Sequence, residues 1–286
     1  MNPVNEPLVR PHPIWVDSDA ALDLAVEQLL KCERYAFDTE FQGERSYWPT
    51  LALLQISDGS QIWLIDPLAC DVSRLTPVFD GPGIMLAHAA RQDLEIMRRE
   101  VGALPSALVD TQIAAAFAGA GNQSLLSLCK RHLNVVIEKG DRLTDWTARP
   151  LRESARLYAA SDVAHLHALA DQLRTEIGEE RWGWALDECE ASRTPPEQAD
   201  VNKAWWRVRG SRALRGDRAR VAQTLCAWRE ETARGPTFHR EQSSEISDSI
   251  ASSRACRAPR RTSMAVEEFR TTLEVCRPFS TQSKPG

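Results

Sequence analysis

Residues 35–43 read YAFDTEFQG, two acids set among aromatic side chains. Side chains alternate along a strand, so Tyr35, Phe37 and Phe41 share one face and Asp38 and Glu40 the other, the acidic α-carbons roughly 6.6 Å apart. The aromatic face suits a buried strand. Two carboxylates on one face of a core strand repel each other and lose hydration, which costs on the order of a few kcal/mol unless something offsets it. Three arrangements relieve that cost: a metal ion, nearby lysines and arginines, or an exposed edge position for the strand.

The rest of the chain bounds the choice. Its 286 residues suffice for one full-sized core and a smaller appendage. Apolar content of 43% and charged content of 26% are those of an ordinary soluble protein. No apolar run approaches the roughly 18–20 residues that span a bilayer, and MNPVNEPLVRPHPIW lacks the core of a signal peptide. The seven cysteines (32, 70, 129, 189, 226, 256 and 276) are odd in number, scattered and without CxxC spacing. They read as reduced thiols in a cytoplasmic protein, with no membrane and no structural zinc site.

The net charge of −5 is unevenly spread. Residues 201–286 hold 17 Lys+Arg against 9 Asp+Glu, whereas residues 1–200 hold 18 against 31. An acidic body with a basic tail suits an enzyme that concentrates cations at its site and recruits a polyanion elsewhere. A merely solvated, disordered tail accounts for the same numbers.

Helical spacing over 18–33, with Ser18 and Asp19 at its start, predicts a helix. Strands are expected at 35–41, 51–57 and 61–66, the last two paired antiparallel across DGS, and at 84–89. From Asp93 the pattern reads as helical throughout: DLEIMRREVG, VDTQIAAAFAG and SLLSLCKRHLN. After a loop, Pro150 opens a helix of roughly 28 residues through RESARLYAASDVAHLHALADQLRTEIGE. This order predicts an α/β domain with a central sheet covered by helices. TPPEQAD (194–200) reads as a linker. AWWRVRGSRALRGDRARVAQTLCAWREETAR (204–234) is basic and helix-prone, and the Ser-, Thr- and Arg-rich residues 235–286 read as a mostly disordered tail.

Further acids join Asp38 and Glu40. Asp93, in HAARQDLEIM, falls where a strand gives way to a helix, the end of an α/β sheet at which ligands bind. Tyr158 and Asp162, in LYAASDVAHL, are four residues apart and stack on one helix face, roughly 6 Å apart. Four carboxylates and a phenol from separate segments can bind two divalent cations, since hard ions take oxygen ligands. Taken singly, Asp93 also suits a helix N-cap, Asp162 a solvated helix position and Tyr158 a core tyrosine.

The series DTEF, HAARQDL, DTQIAA (110–115), TDWTARPL (144–151) and YAASDV (158–163) resembles ribonuclease D and related 3′–5′ exonucleases of the DEDD superfamily over residues 13–180. The resemblance implies a ribonuclease H-like fold, a mixed sheet flanked by helices. It also implies two-metal hydrolysis, with Mg²⁺ or Mn²⁺, of the 3′-terminal phosphodiester of RNA such as tRNA precursors. Carried onto this chain, Asp38 resembles the ligand shared by both metals, and Glu40 and Asp162 resemble ligands of the metal on the side of the attacking water. Asp93 resembles the carboxylate that holds the second metal, and Tyr158 the residue that positions the water. The superfamily's other branch has a His five residues before its last Asp. Here that position is Leu157, which implies the tyrosine subclass.

Substrate contacts are expected from Phe41, Gln55 and Arg149, each with a structural alternative: core packing, a buried hydrogen bond, or capping of neighbours. His165 and His167, two apart on a helix, face apart and read as ordinary helix positions, and His88 as support for the strand end. Residues 204–234 resemble the start of an HRDC domain, with Trp205, Trp206 and Trp228 read as small-core or stacking residues. The likeness stops near Arg234, and residues 235–286 resemble the product of a truncation or a shifted reading frame. The expected organisation is an exonuclease domain (1–190), a partial HRDC-like helical segment (201–234) and an atypical tail (235–286). RNA 3′ ends are the expected partner, with no obligate protein partner. A DNA exonuclease on the same fold and a catalytically inactive nucleic-acid-binding scaffold are the rival functions. The RNA assignment rests on the resemblance alone.

Overall fold

The computed structural model describes residues 12–43, 47–137, 144–195 and 200–234. The expected tail, 235–286, lies outside them, as does part of the loop before Pro150. The described residues form two compact units, 12–43 with 49–195 and 47–48 with 200–234.

The first unit is built on a six-stranded sheet: β1 (Ile14–Val16), β2 (Arg34–Gln42), β3 (Thr50–Ser57), β4 (Ile62–Ile65), β5 (Ile84–Ala87) and β6 (Ala107–Asp110). Their spatial order is β1-β4-β3-β2-β5-β6. β2 runs antiparallel to β3 through Asp38 and Glu40 and parallel to β5 over Arg34–Ala36, so the strand is paired on both sides at its start and with β3 at the two acids. β3 and β4 form the expected hairpin. Its turn is held by the Asp58 carboxylate, which accepts from the N–H groups of Ser60 and Gln61, while Gly59 supplies a φ of +94°.

Helices α1 (Asp19–Leu29), α2 (Thr76–Phe79) and α3 (Arg91–Glu100) cover one face of the sheet. α1 opens at Ser18, whose hydroxyl accepts from Ala21 N–H, and buries Leu22, Ala25, Val26 and Leu29. On this face Phe37 meets Phe79 edge-on at 5.6 Å, with Tyr35 at 6.1 Å from the same ring. The other face is covered by α4 (Thr111–Phe117), α5 (Leu125–Leu128), α6 (Glu153–Ala164) and α7 (Leu166–Arg193). The result is the mixed, helix-flanked α/β architecture expected, with a core on each side of the sheet.

Three expectations need correction. The stretch after Asp93 is not helical throughout, because Ala107–Asp110 forms β6, parallel to β5. Three apolar residues after Pro105 are too short to announce a strand, and pairing with β5 supplies what the pattern lacks. β1, equally short, is a second unexpected strand; it pairs with β4. The long helix after Pro150 is two helices, broken at His165 (φ −113°, ψ 0°), and α7 is kinked at Gly178, whose φ of +75° is open to glycine. The break lets α6 pack on β2, β3 and β4 while α7 packs on α4 and β6.

The second unit holds 3₁₀ turns at Val201–Arg207 and Ser211–Ala213 and helix α8 (Gly216–Arg234). Tyr47 donates to the buried Glu230 carboxylate at 2.8 Å. Trp206 and Trp228 are more than half exposed, so neither is a core residue.

Candidate active site

Alternation along β2 sets Asp38 and Glu40 on the face covered by α6, and a bulge between Glu40 and Phe41 ends that regularity. α6 brings Tyr158 and Asp162 to the same place. Carboxylate oxygens of Asp38, Glu40 and Asp162 all lie within 4.8 Å of one another, with Asp162 buried and the other two half-buried. They line a cavity of about 260 Å³ shared with Tyr158, His88 and the side chains of Leu125, Leu126 and Leu166. The Tyr158 ring lies 6.3 Å from that of the buried Trp146, which limits its swing.

Asp93 stands beside this trio. It lies buried in the first turn of α3 and accepts a hydrogen bond from the hydroxyl of Thr39, the residue between the two β2 acids. Sequence reasoning passes over Thr39, although its place in D-T-E is the signal. Another overlooked support is Asp110. Its carboxylate accepts from the N–H groups of Ala89 and Ala90, each at 2.9 Å, and from Gln112 at 2.8 Å. It thereby holds the β5–α3 turn, where Ala89 has a φ of +58°, and sets the position of the helix that carries Asp93. Thr111 donates to Ala87 C=O, leaving its oxygen to accept from His88 Nδ1 at 3.0 Å.

Three other expected residues are placed differently. Phe41 packs on the opposite face, against the core of α1 and α3. Gln55 is fully buried, and neither its amide nitrogen nor its oxygen has a hydrogen-bond partner among the described residues. Arg149 is turned inward. It grips the buried Asp66 through two nitrogens at 2.6 and 2.7 Å and donates to the carbonyls of Ala52, Trp146 and Ala148. His165 lies at the α6–α7 junction and His167 Nε2 lies 3.2 Å from Ser57 C=O; neither joins the acidic cluster.

The electrostatics select among the ways of relieving the acidic pair. β2 is interior to the sheet, but its pairing with β5 ends at Ala36; what counts against relief by an exposed edge is burial, since Asp162 is buried and Asp38 and Glu40 are half-buried. No lysine or arginine among the described residues pairs with Asp38, Glu40, Asp93 or Asp162. Burial, and the charges of Asp93, Asp162 and Glu40, hold the Asp38 carboxyl well above the usual range. Burial raises Glu40 to about 8, with help from Asp162 and Asp93, and raises Asp162 to about 7 and Asp93 to about 6. An all-oxygen donor set that resists ionisation when metal-free fits a hard divalent cation.

These shifts make stability depend on pH. The acids keep protons in the native state that the unfolded chain releases near pH 4, so native stability is full below that value and is lost as pH rises through the folded pKa values. Metal-free protein should therefore lose several kcal/mol of stability, and melt at a clearly lower temperature, on going from pH 5 to pH 8. Added Mg²⁺ should restore more of the Tm at pH 8 than at pH 5. Thermal scans with EDTA or Mg²⁺ at both pH values check this, and a metal-free Tm that rises with pH would contradict it.

Residues 13–178 match the family model described as 3′–5′ exonuclease, and the chain belongs to that family. Among curated proteins it is 36% identical over 263 residues to ribonuclease D of Zymomonas mobilis, covering 90% of this chain and 66% of that protein. It is 35% identical over 224 residues to ribonuclease D of Pseudomonas paraeruginosa, covering 77% and 60%. The crystal structure of Escherichia coli RNase D, described as an exoribonuclease involved in structured RNA processing, superposes with a TM-score of 0.72 at 35% identity, over 78% of this chain and 60% of that one. The chain thus spans about two thirds or less of these relatives' lengths. No helix among the described residues is long and apolar enough to cross a membrane.

Proposed function

We propose that this chain is a cytoplasmic, divalent-metal-dependent 3′–5′ exoribonuclease that trims structured RNA such as tRNA precursors and releases nucleoside 5′-monophosphates. The observation that carries the proposal is the meeting of Asp38, Glu40 and Asp162 oxygens within 4.8 Å of one another in a cavity also lined by Tyr158. Asp38, Glu40 and Asp162, with Asp93 reaching from α3, would hold two Mg²⁺ or Mn²⁺ ions. Bound there, such ions stabilise the charge that develops on the attacking and leaving oxygens of a displacement at phosphorus.

The protein's own groups do the rest. Burial and the neighbouring acids, Asp162 foremost, raise the Tyr158 phenol above its ordinary range, so it stays protonated at neutral pH. In that form it orients the attacking water through hydrogen bonds. Water oxygen bonds to phosphorus and gives up a proton to solvent, the bond from phosphorus to the 3′-oxygen of the penultimate nucleotide breaks, and that oxygen takes a proton from solvent. The apolar wall of Leu125, Leu126 and Leu166 suits a nucleobase or the sugar's carbon face. Phe41 and Arg149, facing the far core and Asp66, act through the scaffold.

The preference for RNA is supported by the likeness to ribonuclease D proteins. With Mg²⁺ and 5′-labelled strands of equal sequence, RNA should shorten stepwise from its 3′ end, faster than DNA, and EDTA should stop the reaction. Preferential shortening of DNA would overturn the RNA assignment, and no shortening of either strand would overturn the nuclease assignment.

A further inference from the structure

Gln55 is the most fully buried polar side chain beside the acidic cluster, and it has no assigned task. Its exposure is 0%, and both amide atoms lack a hydrogen-bond partner among the described residues. A buried amide in that condition is unusual, because folded proteins satisfy nearly all such groups. In register it stands directly across from Asp38 on β2 and directly across from Leu64 on β4. Directly opposed residues project to the same face with Cβ atoms roughly 4.5–5.5 Å apart. Leu64 offers no polar atom. On that face α6 contributes the buried alanines Ala155 and Ala159. Of its two directly opposed neighbours, Asp38 is thus the one able to engage the amide. With no exposed surface, Gln55 does not reach a nucleotide directly.

We propose that Gln55 is a positioning residue for the metal site: its amide N–H donates to the Asp38 carboxylate when that carboxylate holds cations, fixing the carboxylate's rotation and leaving lone pairs on its oxygens for the ions. The inference rests on the reading of Asp38 as a metal ligand. The chemistry is that of ligand orientation by an outer hydrogen bond, whose loss lowers metal affinity by about 10–100-fold in other sites. The amide nitrogen is the group that matters, because an ionised carboxylate only accepts.

The test uses the whole chain and Mn²⁺ alone as probe, without RNA. Gln55→Met keeps length and volume and removes the amide; Gln55→Leu is a second, shorter apolar replacement. Isothermal titration of wild type, Gln55→Met and Gln55→Leu should show Mn²⁺ affinity reduced by about 10–100-fold in both variants. The metal-free variants should melt at or above the wild-type Tm, since they discard an unpartnered buried amide. That opposition of weaker metal binding and undiminished stability is what a purely structural role would not give. Wild-type affinity in the variants would overturn the inference while leaving the metal site standing. A large fall in metal-free Tm, or failure of both variants to fold, would also overturn it, because the amide would then have had a structural partner. Absence of Mn²⁺ binding by wild type would instead overturn the metal reading itself, and this inference with it.

Discussion

Asp38→Asn should reduce RNA turnover by on the order of 10³-fold or more, equivalent to about 4 kcal/mol of barrier, while the metal-free protein melts at or above the wild-type temperature. The two halves of this expectation have one cause. Asp38 is held well above the usual carboxylate range by burial and by three acidic neighbours, Asp93, Asp162 and Glu40, so its charge is a liability to the metal-free fold. Asparagine has nearly the same shape and removes that charge. In the proposed two-metal reading, the same change removes the carboxylate that both ions would share. Added Mg²⁺ should accordingly raise the variant's Tm much less than it raises that of wild type. Kinetics at saturating RNA with paired thermal scans check both halves. A large loss of metal-free stability would make Asp38 a structural carboxylate, and retained turnover would remove it from the chemistry.

Arg149→Ala should cost about 3–5 kcal/mol of stability, or roughly 10–15 °C in Tm, because the guanidinium is spent inside the protein. It grips Asp66, whose side chain is 5% exposed, and satisfies the carbonyls of Ala52, Trp146 and Ala148. Its planar face also lies 5.5 Å from the Trp15 ring. Removing it leaves a buried carboxylate without a counter-charge. Arg149→Lys should recover little, since an ammonium cannot reproduce the two-pronged grip or the several carbonyl bonds. Chemical denaturation of both variants measures the effect. A phosphate-binding Arg149 would give the opposite pattern, weakened substrate binding with an unchanged melting temperature.

These two residues illustrate what the linear pattern reveals. The alternation in YAFDTEFQG places Asp38 and Glu40 on one strand face because strand periodicity is local, and the i, i+4 spacing of Tyr158 and Asp162 sets them on one turn of α6 for the same reason. That the two pairs meet is a tertiary fact, carried by the packing of α6 on β2. Arg149 misleads because an arginine near a candidate site looks the same in sequence whether it faces a phosphate or a buried Asp66, a partner 83 residues away. β1 and β6 escape the pattern because strands of three or four residues draw their stability from neighbours and not from their own periodicity. The break at His165 is hidden in a continuous helical periodicity, since Leu157 through Leu173 suits one helix as well as two. Gln55 reads as a polar interruption of LALLQIS, and only the register with Asp38 gives it meaning.

The central claim is that the acidic cluster directs water onto the phosphorus of the 3′-terminal linkage. Its most direct test is to run the reaction with Mg²⁺ and RNA in water enriched in heavy oxygen and to weigh the products. One heavy oxygen should appear in the phosphate of each released nucleoside 5′-monophosphate, and none in the 3′-hydroxyl of the shortened strand. Release of 3′-phosphates or 2′,3′-cyclic phosphates, or of 5′-monophosphates free of the label, would contradict the account.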